Sequence, residues 1–489
     1  MNPVVDPCAI ALDDGQRRWT FAELDRASAS LAQRLRDQET RVLATLMDNT
    51  PAWVVADRAA LQAGAVHVPL PSFFTPAQIA HALGSAGVDT LLLPPSLAAR
   101  WPQAPATECA VAAQPLALLR LPARAVPMPL GTAKITFTSG TTGAPKGVCL
   151  GEAAMHRVAL GLVQAMEPLD IRRHLCALPF AVLLENIAGV MAPLLRGATC
   201  VALPLGSLGL SGSSSFDAAR FHETVVAQQP DSLILLPQML RAWAGHLARS
   251  GQRAPSSLRL VAVGGAAVGE KLLLGARALG IPAHEGYGLS EGASVQTLNL
   301  PGHDRPGTAG RVLPHARLRV ASDGEIEVAG SLFCGYLGGD AAMPTWWPTG
   351  DLGRIDADGF LHLDGRKKHL LITAFGRNVS PEWVETALRS ENAVAHAVVF
   401  GDAQPALSAV LWPVHADAPD AVLNAAVDTA NATLPDYARV RRWVRARAAF
   451  GAEAGTATAN GRPQRAAILQ LHADALLAPA LSTDEWETS

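Results

Sequence analysis

Lysine is nearly missing from this chain. Of 40 basic residues in 489, only Lys134, Lys146, Lys271, Lys367 and Lys368 are lysines, and the other 35 are arginines. Each lysine therefore stands out as a candidate for a specific task. Charge is scarce too, with 17% charged residues and a net charge of -3. That leaves no basic footprint for nucleic acid, yet the composition is not that of a disordered chain. Long apolar runs are absent. Stretches such as Leu91 to Pro95 and Ala181 to Leu195 are short, or broken by Pro, Glu, Asn or Gly. Neither approaches the ~20 apolar residues of a membrane span. No basic segment followed by an apolar run opens the chain, so no secretory leader is expected. The six cysteines (Cys8, Cys109, Cys149, Cys176, Cys200, Cys334) are scattered, with no CxxC pair or Cys/His cluster of metal-site spacing. Reduced, mostly buried thiols in a cytoplasmic protein are the expectation.

What is present is apolar bulk, 49% of the residues, in a chain too long for one ordinary core. Two or more domains are expected. Thr20-Phe21-Ala22-Glu23 is a capping box, and Leu24, Ala27, Leu31 and Leu35 follow at helical spacing, so 20–37 is predicted as an amphipathic helix. Strands are expected at 41–47, 64–70 and 88–93, with helices over 51–63 and from Thr75 onward. That alternation predicts a parallel sheet under helical cover. Residues 94–130 look like an irregular connection, and 205–215 like a flexible surface loop. Further buried strands are expected at 232–236 and 258–263. Short strands between 308 and 364 suggest a small β-rich subdomain, and the chain beyond Gly365 a compact α+β domain.

One segment carries most of the chemistry. An apolar strand, Ile135-Thr136-Phe137, runs into Thr138-Ser139-Gly140-Thr141-Thr142-Gly143-Ala144-Pro145-Lys146-Gly147. Small residues such as Gly140 and Gly143 let backbone amides approach phosphate oxygens. Hydroxyls donate further bonds, and Lys146 adds a point charge. A Walker A loop is excluded, because the GxxxxGK spacing fails.

This segment resembles the phosphate loop of the adenylate-forming superfamily, which includes acyl- and aryl-CoA synthetases, peptide-synthetase adenylation domains and beetle luciferases. Its other motifs follow in order. Gly264-Gly265-Ala266-Ala267 matches the turn laid against adenine. Glu285-Gly286-Tyr287-Gly288-Leu289-Ser290-Glu291 resembles YGxTE, with Ser290 for Thr. The Tyr287 ring would face adenine, and the Glu291 carboxylate is an oxygen ligand suited to Mg²⁺. Thr349-Gly350-Asp351 places Asp351 on the ribose hydroxyls, and Asp364-Gly365-Arg366-Lys367-Lys368 resembles the hinge, with Arg366 on the ribose and Lys368 at the pivot. Leu370 to Glu385 is most similar to the long-chain acyl-CoA synthetase branch, where Gly376 would leave room for the pantetheine arm.

The resemblance implies an α/β fold. A large domain of stacked α/β sheets with a small β subdomain, 1–365, would carry the ATP and acid site, and a mobile α+β domain, 366–489, would follow. It also implies ATP, Mg²⁺ and coenzyme A as cofactors. Thr138, Ser139, Thr141, Thr142 and Lys146 would hold the phosphates. A carboxylic acid, fatty or aryl, would become an acyl-adenylate and pass to a thiol, that of coenzyme A or of an acyl carrier protein.

Two departures stand out. Arg462, in Asn460-Gly461-Arg462-Pro463-Gln464-Arg465, occupies the place of the family's catalytic lysine. Arginine keeps the charge but is wider and planar, so either it replaces the lysine or the adenylation step is damaged. The rival to turnover is a degenerate nucleotide-binding homologue. Val182 stands where long-chain relatives carry a His or an aromatic residue at the acyl pocket. Glu185 and Asn186 are either polar groups of that pocket or merely the start of a helix.

Overall fold

The computed structural model describes residues 5–138, 145–211, 215–339, 343–374, 377–452, 454–458 and 461–477. The chain divides into two compact units, Met1–Leu363 and Asp364–Ser489.

Two large sheets and a smaller one build the first unit. An eight-stranded sheet runs in the order 335–336, 146–151, 132–138, 66–69, 42–45, 90–93, 114–120, 106–111. Its centre is parallel, as the strand–helix alternation requires, and both flanks are antiparallel hairpins. A nine-stranded sheet has a parallel centre from 10–13 through 199–201, 173–175, 232–235 and 260–263 to 283–289. A four-stranded sheet of Ala316–Val320, Glu325–Gly330, Trp347–Ile355 and Leu361–Arg366 forms the β-rich part.

The helix predicted at the start is Phe21–Asp37. The Glu23 amide donates to Thr20 Oγ1 at 3.2 Å, and the Thr20 amide to Glu23 Oε2 at 2.8 Å. Leu24, Leu31 and Leu35 are buried on its inner face, and it packs on the helix Pro51–Ala63. There Trp53, fully buried, meets Phe180 with ring centroids 5.3 Å apart. Burying an indole of this size contributes roughly 4–6 kcal/mol of gross transfer energy.

The expected irregular connection at 94–130 is instead largely ordered. Ala106–Val111 and Gln114–Arg120 form a hairpin on the sheet edge. Its two turn residues, Ala112 and Ala113, take φ of 48° and 62°. Gly or Asn ordinarily marks such a turn, so the alanines gave no warning. At 205–215 the described residues form a short 3₁₀ turn, Leu205–Leu208, and a two-stranded ladder, Leu210–Ser211 with Ser215–Phe216.

A charged network lies inside this unit. Lys134, fully buried, meets Asp57 at 2.7 Å and also donates to Asn186 Oδ1. His67 Nδ1 lies 2.6 Å from the same Asp57 oxygen, and His67 Nε2 lies 2.9 Å from the Thr45 hydroxyl. Burial alone would raise the Asp57 pKa, but Lys134 and His67 overcome it and hold the carboxylate well below its ordinary range. The rarest basic residue type thus serves structure here.

The second unit is a three-stranded sheet, Val394–Phe400, Leu407–Pro413 and Val440–Arg445, with helices Pro381–Arg389, Asp420–Ala432 and Arg465–Leu477. Among the described residues, no helix is long and apolar enough to cross a membrane.

Candidate active site

The phosphate-loop segment joins two antiparallel strands, Thr132–Thr138 and Lys146–Gly151, with Thr138 opposite Lys146. Ser139, Gly140, Thr141, Thr142 and Gly143 lie outside the described residues, and Thr138 and Lys146 are the two footings of the segment. Lys146 is exposed, and its Nζ lies 5.8 Å from the centre of the Tyr336 ring. The Tyr336 phenol in turn donates to Glu291 Oε1 at 2.7 Å. Burial, reinforced by that carboxylate, pushes the Tyr336 pKa well above the ordinary phenol value, so the ring stays a proton donor. One side chain therefore joins Lys146 to Glu291.

Tyr336 was not singled out from the sequence. It lies on a two-residue strand, Gly335–Tyr336, paired with Lys146–Gly151. Phe333 and Trp347 pack edge-on against it at 5.0 and 6.0 Å. The one available signal was rarity, since the chain holds three tyrosines.

A second of those tyrosines makes the other pairing. Tyr287, on the strand Ala283–Leu289, donates to Asp351 Oδ2 at 2.7 Å. Asp351 is buried, and its amide donates to Thr349 Oγ1 at 3.1 Å. The flanking glycines are needed for a local reason. A Cβ on Gly288 would stand 2.2 Å from the Ser294 carbonyl oxygen, and one on Gly286 would stand 2.9 Å from the Thr297 oxygen. The neighbouring strand, Ser294–Leu298, leaves no space for larger residues.

The Gly264-Gly265-Ala266 turn packs beside this strand. A Cβ on Gly264 would sit 3.4 Å from the Gly286 carbonyl oxygen, and Gly265 has φ of 87°. Glu285 braces the far side of the turn by accepting from the Val268 amide at 3.0 Å. Burial pushes the Glu285 pKa up to about 7. Ser290 and Glu291 form the next short turn, Ser290–Gly292. The structure thus gathers Lys146, Glu291, Tyr287, Asp351, Glu285 and the Gly265–Ala266 turn into the first unit. An oxygen-only carboxylate at Glu291, a ring at Tyr287 and a two-oxygen acceptor at Asp351 form a donor set that fits a magnesium nucleotide.

An apolar cavity lies in the same unit, lined by Leu162, Leu184, Ala188, Ile234, Ala262 and Val295 among others. Val182 is half-buried and is not among the described residues lining it. Glu185 and Asn186 open a π-helical stretch, Glu185–Met191, and both are buried. Asn186 joins the Lys134–Asp57 network, and Glu185 turns toward His174 at 3.4 Å.

In the second unit, Arg366 ends the strand Leu361–Arg366 and Lys368 lies in the 3₁₀ turn Lys367–His369. Gly376 falls outside the described residues. Arg462 is exposed on a tight turn. Its amide donates to Thr458 Oγ1 at 3.1 Å, and its carbonyl accepts from the Thr458 amide at 2.7 Å. Three residues on, Arg465 is half-buried and pairs with Glu385 at 2.7 Å and Glu382 at 3.4 Å. Sequence reading had given no task to Arg465, which ties the last helix to Pro381–Arg389.

Both parts of the chain match families of known proteins. A family described as AMP-binding enzyme matches residues 3–338, and one described as AMP-binding enzyme C-terminal domain matches residues 368–478. A long-chain-fatty-acid–CoA ligase, FadD15 of Mycobacterium bovis, is 40% identical over 159 residues, 31% of this chain. That match spans about a quarter of the relative's length, 26%. A 2-succinylbenzoate–CoA ligase of a Geobacillus species is 28% identical over 421 residues, covering 81% of this chain and 82% of the relative. Among solved structures, o-succinylbenzoate CoA synthetase from Bacillus subtilis, in complex with its acyl-adenylate intermediate, superposes with a TM-score of 0.75 at 24% identity. It covers 94% of this chain and 95% of that one. With both parts of the chain matched, the protein belongs to the AMP-binding enzymes, the adenylate-forming superfamily that its motifs resemble.

Proposed function

We propose that the protein activates a carboxylic acid with ATP and transfers the acyl group to the thiol of coenzyme A. The observation that carries this reading is the Tyr336 side chain, whose ring centre lies 5.8 Å from the Lys146 ammonium and whose hydroxyl donates to the Glu291 carboxylate. A carboxylate oxygen of the substrate attacks the α-phosphorus of ATP, and the bond to pyrophosphate breaks. The thiol sulfur then attacks the acyl carbonyl, its proton is lost, and AMP leaves. Mg²⁺, held by Glu291, would neutralise phosphate charge. Lys146 and the loop from Thr138 to Gly143 position the phosphates, Thr142 among them. Tyr287 and the Gly265–Ala266 turn hold adenine, and Asp351 and Arg366 hold the ribose. Arg462 takes the lysine's part by stabilising charge as the acid attacks. Such catalysis rests on positioning and electrostatics.

Lys368 serves as the hinge residue between the two steps, and Gly376 leaves room for the pantetheine arm in the second. An acid with a fatty or aryl body is the class that the apolar run around 180–195 favours. A cytoplasmic setting fits the reduced cysteines.

A screen of fatty and aryl acids with ATP and Mg²⁺, with and without coenzyme A, tests this. Pyrophosphate release and an acyl-CoA mass are expected for at least one acid. AMP without acyl-CoA would shift the acceptor to a carrier protein, an amine or an internal nucleophile. No pyrophosphate from any acid would leave the nucleotide-binding homologue that Arg462, in the lysine's place, also suggests.

A further inference from the structure

His174 and Cys176 lie two residues apart, at and just beyond the strand Arg173–Leu175, so their side chains share a face. Glu185, at the start of the π-helical stretch, faces them. All three are buried, and one ligand atom from each lies within 4.8 Å of the others. His174 Nε2 and Glu185 Oε1 are 3.4 Å apart. Neither atom has a hydrogen-bond partner, and the separation is longer than the ~2.7–2.9 Å of a charge-assisted bond.

The opposite end of each of these two side chains is held. His174 Nδ1 lies 2.8 Å from the Ser232 hydroxyl, and Glu185 Oε2 accepts from the Leu178 amide at 3.3 Å. Such outer contacts orient metal ligands. Two ligands bound at about 2.0–2.2 Å around a tetrahedral ion stand roughly 3.4 Å apart, which matches the His174–Glu185 separation. Gly189 keeps this point open, for a Cβ there would lie 2.3 Å from Glu185 Oε1 and 3.0 Å from His174 Nε2.

We propose that His174, Cys176 and Glu185 form a binding site for one borderline-soft divalent cation, Zn²⁺ by its donor set, pinning the strand to the π-helical stretch. Charge supports this choice. A dication with one thiolate, one carboxylate and a neutral imidazole sums to zero, which suits an apolar interior. Ligation releases the Cys176 proton to solvent. The Gly189 carbonyl then loses the Cys176 donor at 3.4 Å but keeps Cys200 at 3.5 Å. His174 also lines the apolar cavity.

The test uses the full chain, stripped with a chelator and reloaded with Zn²⁺ or Co²⁺. About one ion per chain should be retained, and the cobalt form should show a thiolate-to-metal charge-transfer band. Cys176→Ser, which keeps the volume, should abolish that band while circular dichroism stays native. Glu185→Gln should weaken the ion's affinity at least about tenfold. Retention below roughly half an ion per chain, or a band unchanged in Cys176→Ser, overturns the proposal. The readout is metal content and absorption, so it stands apart from any ligase activity.

Discussion

The Tyr287 phenol donates to the Asp351 carboxylate at 2.7 Å, joining the strand Ala283–Leu289 to the strand Trp347–Ile355. The ring proposed for adenine and the carboxylate proposed for ribose therefore position each other. Asp351→Ala should remove a charged hydrogen bond worth about 1.5–3 kcal/mol. The ATP concentration for half-maximal pyrophosphate release should then rise by about ten- to a hundredfold. Tyr287→Phe keeps the ring and loses only the hydroxyl, so a rise of only several-fold is expected. Equal effects of the two variants would count against the assigned division of roles.

Arg462 offers a cleaner separation of chemistry from folding, because it is exposed. Arg462→Ala should cut acid-dependent pyrophosphate release about a hundred- to a thousandfold, with the thermal midpoint unchanged. Arg462→Lys should restore much of the rate. Wild-type rates in the alanine variant would show that this position takes no part in the first step.

Glu285 makes stability depend on pH in a predictable direction. Its carboxyl titrates at about 7 in the folded protein, against an ordinary value of 4.5. As pH rises from 4.5 to 7, the unfolded chain releases this proton while the folded one keeps it. The Glu285 contribution to stability should therefore fall across that window, by up to about 3 kcal/mol. Urea unfolding across about pH 4.5 to 7, compared with Glu285→Gln, isolates the effect. The variant should lack this part of the slope.

Lys134 tests the buried network. Lys134→Met leaves the Asp57 carboxylate without its nearest cation, at a cost of about 3–5 kcal/mol. Adding Asp57→Asn should recover part of that loss. Denaturant midpoints of the single and double variants measure the coupling. Strict additivity would argue that the 2.7 Å pair contributes little.

Sequence alone carried much of this architecture where local chemistry and tertiary position agreed. The Thr20–Glu23 capping box marked its helix, and the buried strands showed as apolar runs between turns. The hairpin at 106–120 escaped because alanines hold its left-handed turn, where strand pairing on the sheet edge overrides turn propensity. Glu185 and Asn186 were legible as polar residues at a helix start, but not their targets. Asn186 reaches back 129 residues to Asp57, and adjacent positions on one helix serve different networks. Tyr336 and the His174–Cys176–Glu185 cluster were invisible for the same reason. Each depends on strands or helices brought together by the fold rather than on spacing along the chain.

The distance in sequence between Asp57 and Asn186 also bears on biogenesis. At roughly 5–20 residues per second, a ribosome adds Asn186 about 6–25 seconds after Asp57. Lys134 arrives partway through that delay. Until Lys134 emerges, the carboxylate has His67 beside it but not the lysine cation that makes its burial tolerable. Asn186 adds the last of these contacts from the π-helical stretch, so the polar knot at Asp57 joins early and late parts of the chain.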